Sequence, residues 1–84
     1  MITKEDAIAI SNESDLQYLI DRYRNGPAFA KAFVFEDEGL YIEFFKKVDI
    51  SLELFQSKYY YFDKEKNVHI SESEFGFVWI STMG

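Results

Sequence analysis

The chain has no cysteine, one histidine, one proline and four glycines in 84 residues. Each scarcity excludes something. Without cysteine there is no disulfide and no thiolate ligand, so the fold must hold by packing or by association. His69 alone cannot supply the imidazole pairs or triads of zinc and iron sites. The acid run Glu36-Asp37-Glu38 before Gly39 lacks the alternating acids and distant Glu of a calcium loop. No bound metal is expected. None of the seven serines stands in a Gly-x-Ser-x-Gly elbow. The glycines, at 26, 39, 76 and 84, are too far apart for a phosphate-cradling loop. With no nucleophile, metal or nucleotide motif, the expectation is a protein that is not an enzyme and needs no cofactor. His69, between Val68 and Ile70, reads as a strand residue projecting opposite its neighbours rather than as a general base.

Basic residues are also scarce, with nine Lys and Arg against fifteen Asp and Glu, a formal charge of −6. Lys46-Lys47 is the only basic pair. Phosphate backbones need clustered cations, so direct nucleic-acid binding is not expected. The acid excess suits solubility, as in many small bacterial or phage domains, and it also steers a basic partner. No run approaches 18 apolar residues, so no membrane span is expected. Residues 1–10, MITKEDAIAI, show no basic segment followed by an apolar run. The reading therefore places the protein in the cytoplasm.

What is abundant is aromatic: nine Phe, six Tyr and one Trp, 19% of the chain. Residues 1–84 make one domain. A domain of this size buries about 60–65% of its unfolded surface. Large rings, each hiding roughly 150–250 Å², are how it does so without disulfides.

Thr3 followed by Glu5 and Asp6 suggests a short capped helix over residues 4–10. Ser14-Asp15-Leu16-Gln17 resembles a capping box, and Leu16, Leu19, Ile20 and Tyr23 follow at i, i+3, i+4 and i+7. Asn25-Gly26-Pro27 should stop that helix through a left-handed cap. From Ala28 the period becomes two. Phe29, Lys31, Phe33 and Phe35 alternate with small residues, Asp37-Glu38-Gly39 suggests a tight turn, and Leu40, Ile42 and Phe44 alternate on the return. Residues 28–47 thus read as a hairpin, with the small-residue face under the helix. Residues 50–55 read as a strand, or as a short helix capped by Asp49 and carrying Leu52 and Phe55. Tyr59–Phe62, Val68–Ile70 and Phe75–Ile80 complete the strands. The expected fold class is α+β, with two short N-terminal helices packed on a mainly antiparallel sheet of about five strands, joined as a meander.

Tyr41, Phe45, Phe55, Tyr60 and Phe62 have parities that oppose the expected core, so an exposed aromatic patch flanked by acids is anticipated. A patch both apolar and negative suits a basic protein. The functional expectation is a small acidic neutraliser, an immunity protein or inhibitor of a basic toxin or enzyme. Glu36, Asp37 and Glu38 would steer, Tyr59, Tyr60 and Tyr61 would anchor, and Glu72 and Glu74 would add charge. Two alternatives stand beside it. One is a nucleic-acid mimic that occupies a DNA-binding protein. The other is a small ligand-binding or self-associating domain, with a homodimer formed through the sheet.

Overall fold

Asn12, not Ser14, decides where the first long helix begins. The computed structural model describes residues 7–26, 31–73 and 77–82. In it the Asn12 side chain accepts the Asp15 N–H at 2.9 Å, and the Ser11 N–H donates to the Asp15 carboxylate at 3.1 Å. Helix α1 therefore runs Glu13–Asn25, with Leu16, Leu19, Ile20 and Tyr23 all buried, as their spacing predicts. Gly26 closes it by donating to the Arg22 carbonyl at 2.9 Å. Its φ of 174° is extended rather than left-handed, which corrects the expected cap. Pro27 lies outside the described residues.

The helix expected over 4–10 is a strand where it is described. Strand β1 (Ala7–Ile10) pairs in parallel with β2 (Ala32–Phe35), in the register Ala7↔Ala32 to Ile10↔Phe35. Ala-Ile-Ala-Ile alternates with period two, and its pairing with β2 fixes it as a strand. Two parallel strands need a long crossover, and α1 is it. The hairpin expected over 28–47 is likewise corrected. After β2 the chain enters helix α2 (Glu38–Lys47). Asp37 caps this helix, its Oδ1 accepting the Gly39 N–H at 2.7 Å. Leu40-Tyr41-Ile42-Glu43-Phe44-Phe45 fits either period. Tyr41, Phe44, Phe45 and Val48 fall at i, i+3, i+4 and i+7, and the cap decides for the helix. Residues 52–58 are helix α3 (Leu52–Lys58), not a strand; Ser51 caps it by accepting the Leu54 N–H at 3.2 Å, and Asp49 stands outside at φ 60°. Glu43 and Glu53 lie on α2 and α3.

Three strands follow: β3 (Tyr60–Asp63), β4 (Val68–Glu72) and β5 (Val78–Thr82). Asp63 accepts the Glu65 and Lys66 N–H groups to form the β3–β4 turn, and Asn67 leaves it at φ 56°, a conformation Asn tolerates. The sheet order is β1-β2-β5-β4-β3. Only its last three strands form a meander; β5 is inserted between β2 and β4, so the fully meandering order is overturned. The class is α+β; the described residues form three helices and a mixed, mostly antiparallel five-stranded sheet. Of the expected pair of N-terminal helices the described residues show one, with two more in mid-chain.

The helices cover one face of the sheet. Phe33, Phe35, Val68, Ile70, Val78 and Ile80 share that face and join the helical residues Leu16, Leu19, Ile20, Tyr23, Phe44, Phe45 and Phe55 in one core. The Phe-bearing face of β2 thus lies under the helices, and Ala32 and Val34 face away, opposite to expectation. Of the rings expected on an exposed face, Phe45 and Phe55 are fully buried and Tyr41 packs partly against the core. Tyr60 and Phe62 are exposed as anticipated.

Candidate functional site

Strand register builds the site. Phe35 pairs with Val78, Val78 pairs with Glu72, and the Glu72 N–H donates to the Tyr59 carbonyl at 3.1 Å. One row of residues therefore crosses from β2 through β5 and β4 to the residue preceding β3. Beyond Phe35 the chain leaves the sheet at Glu36 and Asp37 and turns into α2, while α3 ends at Tyr59. These segments enclose a pocket of about 330 Å³. Among the described residues its lining is Phe35, Phe77 and Val78, the aromatic Tyr41 and Tyr59, Gln56, and the acidic Glu36, Asp37, Glu38 and Glu72, with no Lys or Arg.

The aromatic part is held from below by Phe55, which has no exposed surface. Its ring meets Phe45 at 5.0 Å, Tyr41 at 6.1 Å and Tyr59 at 6.0 Å, all edge-on. Tyr41 also meets Phe35 at 6.3 Å. Tyr59 takes a left-handed backbone, φ 52° and ψ 39°, as it ends α3, and its side chain stays half exposed. The Tyr41 phenol is pushed above its ordinary pKa by burial first. A hydrogen bond with Gln56 opposes this, and the charges of Glu38 and Glu72 and the Tyr59 phenol add to the rise. The pocket thus has a negative field over a partly apolar lining.

The carboxylates are not gathered for chelation. Among the described residues no group of three or more His, Asp or Glu side chains is placed to hold a metal ion. Asp37 is committed to its helix cap. What the arrangement does chemically is favour a cation that keeps apolar surface in contact with tyrosine rings.

Five of the eight anticipated site residues converge here: Glu36, Asp37, Glu38, Tyr59 and Glu72. Tyr60 does not; it faces the side of the sheet away from the helices, where its hydroxyl is 2.6 Å from His69 Nδ1. His69 does project opposite Val68 and Ile70, both buried. Tyr61 has the other parity and packs partly against the core. Glu74 lies outside the described residues. Gln56 and Phe77 escaped sequence reasoning, and Tyr41 entered it only as a member of the expected aromatic patch, not as an anchor. Tyr41 and Gln56 needed α2 and α3 to be recognised as helices.

Among the described residues no helix is long and apolar enough to cross a membrane. The chain matches no protein-family model, no curated protein and no solved structure.

Proposed function

We propose that this protein works by binding a basic protein partner in the cytoplasm, without turnover, as an immunity protein or inhibitor that blocks the partner sterically and electrostatically. One observation supports this above the others. Glu36, Asp37, Glu38 and Glu72 line one pocket with Tyr41 and Tyr59, and among the described residues no basic side chain joins them. A net charge of −6 draws a basic surface in from roughly 8–10 Å at moderate salt. A Lys or Arg side chain entering the pocket lays its stem on the tyrosine rings and its charge among the carboxylates. The ring contact is worth about 0.5–2 kcal/mol, depending on how dry it becomes.

The test has two stages. The protein is immobilised, partners are captured from its native lysate, and a captured protein is purified. Association rates are then measured against the wild type and against a Glu36→Lys, Glu38→Lys, Glu72→Lys variant. Asp37 is left intact because it caps α2. The expected result is a basic partner whose on-rate falls at least about tenfold at low salt, with circular dichroism showing the variant still folded. A partner that binds the triple variant at the wild-type rate sinks the proposal.

A second reading takes the same pocket for a small organic cation, since 330 Å³ lies at the lower end of the volumes of small-molecule sites. Under it, a polyamine or guanidinium compound alone raises the melting temperature saturably. Under the first reading, small cations give no saturable shift.

A further inference from the structure

Two pairings give the pocket a repeated unit, an acid beside a tyrosine. On α2, Glu38 and Tyr41 stand three residues apart and share a helix face. At the end of the sheet, the Glu72 N–H donates to the Tyr59 carbonyl at 3.1 Å, which sets those two residues side by side. Glu72 has the parity of Val68 and Ile70, both buried under the helices, so its side chain leaves β4 on the pocket side. The rings of Tyr41 and Tyr59 meet the same Phe55 edge-on, at 6.1 and 6.0 Å. All four residues line the pocket.

The two acids act on one volume from well-separated backbones. Burial is the first cause that raises the Tyr41 pKa, but the charges of both Glu38 and Glu72 contribute, so each lies within electrostatic reach of that phenol. Yet β5 stands between β2 and β4. Glu72 is therefore two strand spacings, about 9–10 Å, from the end of β2, where the chain turns into α2.

That span distinguishes one cation from another. An ammonium is a compact, strongly hydrated point charge. To meet both acids it must draw the two side chains inward to a single atom. A guanidinium spreads five N–H donors around a flat, weakly hydrated fork, so it can answer one carboxylate at each edge while its face lies on a ring. Tyr59 offers that ring, since it is half exposed beside Glu72. It is held there by a left-handed backbone, φ 52°, that costs a tyrosine stability and a glycine almost none.

Resting on the reading that this pocket takes a basic side chain of a partner, we propose that the side chain it selects is arginine. The guanidinium bridges Glu38 and Glu72 and stacks on Tyr59, and lysine in its place binds less tightly.

Nona-arginine and nona-lysine peptides carry equal charge, so the −6 protein steers both alike. Isothermal titration calorimetry of the full chain at about 0.15 M salt compares them. Nona-arginine should bind at least about fivefold more tightly. In a Glu38→Gln, Glu72→Gln variant that ratio should fall to about one, with circular dichroism showing the fold retained. Tyr59→Gly, which suits the left-handed backbone, should also lower the ratio while the protein stays folded. Equal affinities of the wild type for the two peptides overturn the proposal. So does a preference for arginine that survives in either variant, or failure of both peptides to bind at millimolar concentration. The reading beneath it fails separately, through a captured partner that binds the Glu36→Lys, Glu38→Lys, Glu72→Lys variant at the wild-type rate.

Discussion

Replacing Phe55 with Ala should remove a large fraction of the stability of this protein and open the candidate site at the same time. Phe55 has no exposed surface and touches the rings of Phe45, Tyr41 and Tyr59. Burial of a ring in such a place makes Phe→Ala cost about 3–5 kcal/mol. At roughly 0.05–0.15 kcal/mol per residue, a chain of this length is stable by about 4–13 kcal/mol in all. One kcal/mol shifts the melting temperature of a small domain by about 4–8 °C, so the drop should be at least about 12 °C, or the variant should not fold. Phe55→Leu keeps most of the volume and gives a folded intermediate case, down by roughly 1–2 kcal/mol. In that variant Tyr41 and Tyr59 lose their edge-on support. Partner binding should then weaken more than stability alone explains. The control sits one residue away: Leu54 is 64% exposed, and Leu54→Ala should stay within about 0.5 kcal/mol. Thermal and urea unfolding of the three variants together are the assay. A Phe55→Ala midpoint within a few degrees of wild type, or equal losses for 54 and 55, would refute the packing of α3.

Two titrating contacts make further predictions. The Tyr23 hydroxyl, buried under the β3–β4 turn, donates to the Asp63 carboxylate, and burial with that bond pushes its pKa far above the ordinary value. A raised folded pKa means the contribution is complete below the unfolded value, about 10, and is lost as pH rises through the folded one. Tyr23→Phe should cost about 1–2 kcal/mol at pH 7. The gap should narrow in chemical denaturation well above about pH 10, where wild type pays for an ionising phenol; a gap constant with pH would contradict the assignment. On the surface, Glu13 is held above the usual glutamate range, first by a hydrogen bond with Glu43, then by desolvation and the Glu43 charge, with Lys47 opposing. Its protonated form supplies stability present at low pH and lost as pH rises through its folded pKa. Glu13→Gln keeps a donor at all pH values. It should therefore melt above wild type at pH 7 and converge with it below about pH 4, and a difference that is the same at both pH values would refute the shared proton.

Legibility in the sequence followed the range over which a pattern repeats. The stripe Leu16, Leu19, Ile20 and Tyr23 spans two turns and has one interpretation, and all four residues are buried. Ala7–Ile10 and Leu40–Phe45 are shorter than the length at which periods two and 3.6 separate. The Asp37 cap favours the helix over Leu40–Phe45, and pairing with β2 makes Ala7–Ile10 a strand. An Asp before Glu-Gly fits a tight turn as well as a helix N-terminus, because in both it accepts a nearby backbone N–H. The insertion of β5 between β2 and β4 has no local signature at all. It is settled by which apolar faces bury each other over long sequence separations.

The candidate site was legible in its parts and not in its assembly. Charge and aromatic content singled out Glu36, Asp37, Glu38, Tyr59 and Glu72, which are far apart in the chain. Register brought them together, since Phe35, Val78 and Glu72 form one row only because β5 lies between β2 and β4. The same geometry dispersed the Tyr59-Tyr60-Tyr61 run. Successive strand residues point to opposite faces, so Tyr60 and Tyr61 cannot share a surface. Tyr59 escapes the alternation because it precedes the strand in a left-handed conformation. The run that reads as one aromatic motif therefore serves three places: Tyr59 the pocket, Tyr60 the sheet face turned from the helices, Tyr61 the edge of the core. A substitution at each should consequently disturb a different property: partner binding at 59, the contact with the His69 ring at 60, stability at 61.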